Sequence, residues 1–104
     1  MIRALVAPVV LGSLMACGPV KSSVNLMSAS SEIEAARTAG AEKQAPYEWT
    51  AATLYLHQAR EEVARSEYEH AIDFADKASK YARQARAVAE KATQPQPTQD
   101  PARP

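Results

Sequence analysis

The sequence predicts an all-α protein, a three-helix up-down-up hairpin or bundle that ends in a long, alanine-seamed helix. Three features point there. Trp49, Ala52, Leu56, Ala59 and Val63 recur at intervals of three and four. Ala71, Ala75, Ala78, Ala82, Ala85, Ala89 and Ala92 follow in heptad phase. Ala45-Pro46 and Ser66-Glu67 divide the chain where helices turn. The chain has 104 residues. About seventy remain for a core once an N-terminal leader and a proline-rich tail are set aside, close to the lower limit for an unaided fold. Twelve basic side chains balance twelve acidic ones, so no global field draws nucleic acid. One cysteine excludes an internal disulfide framework and a four-cysteine zinc site, and three glycines are too few for the usual nucleotide-binding loops.

The leader comes first. Met1-Ile2-Arg3 is short and positively charged, and Ala4 to Leu14 carries no charge. Eleven such residues, interrupted by Pro8 and Gly12, are too few for a lasting transmembrane helix and fit the core of an export signal over residues 1–16. Leu14-Met15-Ala16-Cys17-Gly18 resembles the lipobox of bacterial lipoproteins. Met15 departs from the small or β-branched residue preferred in that motif. The resemblance implies cleavage before Cys17, a diacylglycerol on its thiol and an N-acyl chain on its new amino group. No other cofactor is expected. Two or three acyl chains anchor durably, at about 0.8 kcal/mol per buried methylene. Residues 17–26 then read as a polar, lipidated tether. Gly18 stands where an aspartate would resemble an inner-membrane retention signal, which implies the periplasmic face of the cell outer membrane.

A helical domain is expected over residues 27–93. Ser28, Ser30 and Ser31 offer caps to a first helix at about 27–43, with Glu32 and Glu34 at its positive end and Leu26, Ile33, Ala36 and Gly40 on one face. Pro46 leads into a second helix, about 47–65, with Glu48 in its first turn and Glu61–Arg65 as a favourable pair. Ser66 is placed to cap the third, about 67–93. Its alanine seam buries little area per residue but allows helix axes to approach to about 8 Å. Such a seam could be completed by another copy of the chain. Ile72, Phe74, Tyr68, Tyr81 and Val88 flank it and supply bulk. Residues 94–104 hold four of the seven prolines and read as a disordered or extended tail.

The run from Ser66 to Ala78 resembles the turn and second helix of a tetratricopeptide repeat, with Tyr68, Ala71 and Ala78 at the family's positions and Tyr55 and Ala59 matching the preceding helix. Ala75, Gln58 and Glu62 depart from the pattern, and there is no second copy of the unit, so the resemblance implies a hairpin and not a peptide-binding array. The stretch from Ala45 to Ala78 is also similar to a family of small Gram-negative lipoproteins of unknown function. Related domains in that family occur beside outer-membrane-protein-A-like proteins that bind peptidoglycan. This implies a cell-envelope setting and carries no catalytic motif.

Chemistry finds little foothold. Glu67-x-x-His70 supplies half of a carboxylate-bridged di-metal motif, but His57 has Leu54 three residues before it and gives no second half. Ser66 and His70 have no recognisable third group or oxyanion site. Lys77, Lys80, Arg83 and Arg86 recur every third residue. They suit an anionic envelope polymer, and equally they complement the helix dipole and pair with Asp73 and Asp76. Tyr47 and Trp49 suit either an exposed docking point or core packing. The expected function is therefore a non-enzymatic, lipid-anchored adaptor or scaffold in the periplasm. Its expected partners are membrane lipid through Cys17 and an envelope protein or peptidoglycan. The rivals are a pilotin or assembly chaperone for a secretion or pilus system, and a metal-dependent envelope enzyme.

Overall fold

Alanine in heptad phase needs another helix close against it, and the chain supplies two. The computed structural model describes residues 17–94. It contains helix α1 (Cys17–Thr38), a single turn α2 (Ala41–Gln44), α3 (Pro46–Ala64) and α4 (Tyr68–Thr93). The expected export segment 1–16 and all of the expected tail beyond Gln94 lie outside the described residues. The fold is all-α, a small bundle with three long helices. α4 packs extensively against both α1 and α3, which touch each other less. Asn25 of α1 meets Asp76 of α4 at one end, and Ala36 meets Ala85 and Ala89 at the other, so these two helices run parallel. α3 runs antiparallel to both, placing Trp49 near Ala89 and Tyr55 beside Phe74. This is the up-down-up order.

The core is made almost entirely of one residue type. Among the described residues fourteen apolar side chains are buried; twelve are alanine, and only Ile33 and Leu56 are larger. Six of the seven predicted seam alanines, Ala71 to Ala89, are fully buried; Ala92, in the last turn, is exposed. From α1 come Ser22, Leu26, Ala29, Ile33 and Ala36, spaced four, three, four and three. From α3 come Ala52, Leu56 and Ala59. The bulk lies around this thin centre, in the partly buried Leu26, Trp49, Tyr55, Phe74 and Tyr81. The seam from Ala71 to Ala89 is thus covered by helices of the same chain.

Helix limits follow local chemistry. The second and third predicted helices begin and end within one residue of α3 and α4. Ala45, at φ −137° and ψ 62°, is held out of helical geometry by Pro46, which opens α3. Gln94 is extended for the same reason, since Pro95 follows it.

The first helix differs more from expectation. It starts at Cys17, so the polar segment 17–26 is helical and not a loose tether. Serine-rich sequence reads as linker, yet Pro19 is tolerated in a first turn and Ser22 is small enough to enter the seam against α4. The Ser22 and Ser23 hydroxyls donate back to the Pro19 carbonyl at 3.0 and 2.8 Å. Ser28, Ser30 and Ser31 accordingly lie inside the helix and cap nothing. At its other end α1 stops at Thr38, not near 43. Gly40, at φ 87°, adopts the left-handed conformation that turns the chain into α2, and so does not continue an apolar face.

Ser66 also departs from its expected role. It caps no helix N-terminus; it occupies the left-handed position after α3, at φ 62°. Its N–H donates to the Val63 carbonyl at 2.9 Å and the Glu67 N–H to the Glu62 carbonyl at 2.9 Å, the paired pattern that closes a helix C-terminus. A side chain at this φ is strained, so Ser66→Gly should raise stability by about 0.5–1 kcal/mol in urea unfolding. Conversely, Ala78→Leu should force α1 and α3 away from α4 and cost about 1–3 kcal/mol, whereas the same change at exposed Ala92 should stay within ~0.5 kcal/mol. Equal effects at positions 78 and 92 would contradict this packing.

Candidate functional site

Two surfaces stand out, and both arise because alanine fills the centre and forces large side chains to the edges. Along the junction of α3 and α4, four aromatic rings form a ladder. Tyr47 meets Tyr81 edge-on at 6.4 Å between centroids, Tyr81 stacks on Tyr55 at 5.6 Å, and Tyr55 stacks on Phe74 at 6.1 Å. The Lys77 ammonium lies 5.6 Å from the centroids of both Tyr55 and Phe74. Tyr47 is 71% exposed and forms the outer end of the ladder. The Tyr81 phenol is held above its ordinary pKa, first by the neighbouring Tyr47 phenol, then by burial, by Tyr55 and by a hydrogen bond with Tyr47. The face therefore offers apolar ring surface, phenolic hydroxyls and one cation together.

The second surface is a shallow cleft of about 220 Å³ between α1 and α3. Ile33 and Leu56 form its apolar floor, with Ser30, Thr53, Glu34, Arg37 and Arg60 around it. Arg37 pairs with Glu34 and also lies 5.5 Å from the centre of the Trp49 ring. Arg60 donates to Ser30 Oγ at 3.4 Å. Spacing alone does not single out these arginines, although each stands four residues from a core position on its own helix. That spacing puts them on the rim of the apolar stripe. Only the antiparallel pairing of α1 with α3 brings the two rims together. Thr53 is turned inward, its hydroxyl donating to the Trp49 and Thr50 carbonyls.

Tyr47 and Trp49 do not form one docking point. Two residues apart on a helix, they diverge by roughly 200°. Tyr47 joins the exposed ladder, while Trp49 is half-buried and bridges the two parts of the core. The four cations are likewise dispersed. Lys77 leans over the Tyr55 and Phe74 rings, Lys80 and Arg83 face outward, and Arg86 turns toward α1 beside Ala35, Thr38 and Ala39. Arg86 donates to Glu90 at 2.8 Å, a contact that raises its pKa. The expected Asp73–Lys77 and Asp76–Lys80 pairs are not among the ion pairs of the described residues. Asp76 instead accepts from Asn25 at 3.0 Å. Arg65 similarly pairs with Glu62 at 3.3 Å, and Glu61 is taken by His57 at 3.1 Å. The ion pairs among the described residues thus keep helical spacing of three or four but join other partners than those expected.

His70 and Glu67 are both exposed near the start of α4. Among the described residues no three His, Cys, Asp or Glu side chains converge as a metal site. No helix among the described residues is long and apolar enough to cross a membrane.

A family model described as "Domain of unknown function (DUF4398)" matches residues 24–99. The chain belongs to this family. No curated protein and no solved structure matches it. The DUF4398 match takes in most of α1 and all of α2, α3 and α4, and so includes both the aromatic ladder and the arginine-rimmed cleft. Cys17 lies outside it. In this chain the ladder and the cleft both fall inside the DUF4398 match.

The ladder makes a pH prediction. Because the Tyr81 pKa is raised, folding favours its neutral phenol. The resulting stabilisation is complete below the unfolded tyrosine pKa of about 10 and is lost as pH rises through the folded value. An ultraviolet phenolate titration should show one late-ionising tyrosine that Tyr81→Phe removes. Tyr47→Phe, which takes away the largest cause, should move that transition to lower pH.

Proposed function

We propose that this protein is a lipid-anchored envelope component that works as a non-enzymatic helical adaptor. In this reading Cys17 carries a diacylglycerol and an N-acyl chain, the protein sits on the periplasmic face of the outer membrane, and its helices position an envelope partner. The carrying observation is the α3/α4 ladder of Tyr47, Tyr81, Tyr55 and Phe74 with Lys77, in which Tyr47 is exposed and the other three rings are only partly buried against the core. Aromatic residues with polar tips are the ones that anchor protein contacts, because they bury much area at low entropic cost. Tethering supports the reading too: it raises local concentration, so a small face suffices for a useful contact. The lipobox-like Leu14 to Gly18 supplies the address. The partner that suits this setting is a peptidoglycan-associated outer-membrane protein. Lys80 and Arg83, both outward-facing, would add an anion-sensitive contribution.

The α3–α4 hairpin, with its tetratricopeptide-like residues, favours a second reading. There the same face receives a client segment, as an assembly chaperone or pilotin would. The two differ in what is caught. Photo-crosslinking groups placed at Tyr47 and Leu54 in living cells should give a discrete adduct from Tyr47 and none from Leu54. A resident envelope protein in that adduct supports the adaptor, and a secretin or pilus subunit supports the chaperone. Mass spectrometry of the mature chain should find Cys17 as its first residue, bearing lipid; an unmodified N-terminus elsewhere would remove the anchor from this account.

A further inference from the structure

α1 is apolar on two opposite sides. One side, from Ser22 to Ala36, packs into the bundle. The other carries Val20, Val24 and Met27, spaced four and three, which are 60%, 59% and 73% exposed. At 3.6 residues per turn the centres of the two stripes lie roughly 180° apart, so neither α3 nor α4 can reach the outer one. The helical register puts position 17 one turn before Val20 on that same outer stripe.

Two observations select its occupant. The outer stripe exposes on the order of 300 Å² of apolar surface, well short of the ~800 Å² per partner that a specific protein interface buries. A second copy of the chain is therefore a poor fit. Charge is the other. Between Cys17 and Ser31 the only charged residue is Lys21, which is exposed, and acidic residues begin at Glu32. A short apolar strip with a flanking cation and no carboxylate matches the interface of a phospholipid layer, where apolar side chains enter the acyl boundary and lysine reaches the phosphates.

We propose that Val20, Val24 and Met27 rest in the interfacial layer of a phospholipid membrane, so that the first turns of α1 lie along the membrane. The bundle is then held on its side and does not stand on a single point. This rests on the lipid-anchor reading of Cys17, which brings the stripe to the surface. Positions 17 to 27 span about 15 Å of helix, and the acyl chains and the stripe would engage one surface together. The lipid chains supply attachment; the stripe fixes orientation. The α3/α4 junction lies across the bundle from α1, so the ladder would face away from the membrane.

The test uses mature, lipidated protein reconstituted in vesicles of phosphatidylethanolamine and phosphatidylglycerol. Single nitroxide labels are placed through Val24→Cys or Met27→Cys, with controls at the exposed Leu54 and Val88. Labels at 24 and 27 should be relaxed by lipid-soluble oxygen and shielded from a water-soluble nickel chelate, and the control labels should show the reverse. Lipidated protein, verified by intact mass, with water-exposed labels at 24 and 27 would overturn this orientation while leaving the anchor in place. Protein without lipid on Cys17 would remove both. Spin–spin broadening at position 24 that vanishes on dilution with unlabelled protein would assign the stripe to a second copy instead. As an independent measure, Cys17→Ser protein should partition weakly into the same vesicles, and adding Val20→Ser, Val24→Ser and Met27→Ser should lower that partition at least about tenfold with unchanged circular dichroism. Equal partition of the two proteins would count against the stripe.

Discussion

The close approach permitted by alanine on α4 governs the rest of the molecule. Every buried position of α4 except Ser79 is an alanine. A methyl group gains little from burial, so each seam contact is worth only a fraction of what a leucine would give. What the seam does provide is proximity, which allows α1 and α3 to lie against the same helix at once. The entropy cost of ordering some seventy residues is then offset by many small contacts along a long interface, with no dominant core residue. A bundle built this way is sensitive to added volume. It is comparatively insensitive to the loss of any one methyl.

A centre of small residues determines what the surface looks like. Large side chains cannot be accommodated between the helices, so they gather along the edges where two helices meet. Tyr47, Tyr55, Phe74 and Tyr81 stack on one another over the α3/α4 junction. Trp49 closes the gap between the two parts of the core, under the Arg37 guanidinium. The same arrangement that keeps the bundle slim thus leaves aromatic area at the surface, most of all at Tyr47. Cations follow the aromatics: Lys77 and Arg37 both lie over ring faces, where the quadrupole draws them.

The parallel course of α1 and α4 also sets the polarity of the molecule. Cys17 and the α3–α4 turn share one end, because Asn25 is level with Asp76; Gln94, where the tail begins, is at the other. In between, the ladder and the arginine-rimmed cleft occupy different sides, one at α3/α4 and one at α1/α3.

The sequence by itself determined the helical class, the positions of α3 and α4 and the alanine seam. Each depends on local rules: proline excludes its predecessor from helical geometry, and three-and-four spacing puts side chains on one face. It also separated off a lipobox-like segment, Leu14 to Gly18, that depends on no fold. The tertiary structure alone decided that residues 17–26 are helix, because Ser22, Leu26 and Ala29 gain their reason to be helical only by docking on α4. It alone brought Arg37 and Arg60 to the rim of one cleft. Periodicity reports which residues share a face of one helix. Which face of another helix lies opposite is fixed by packing, and no spacing within a single segment encodes it.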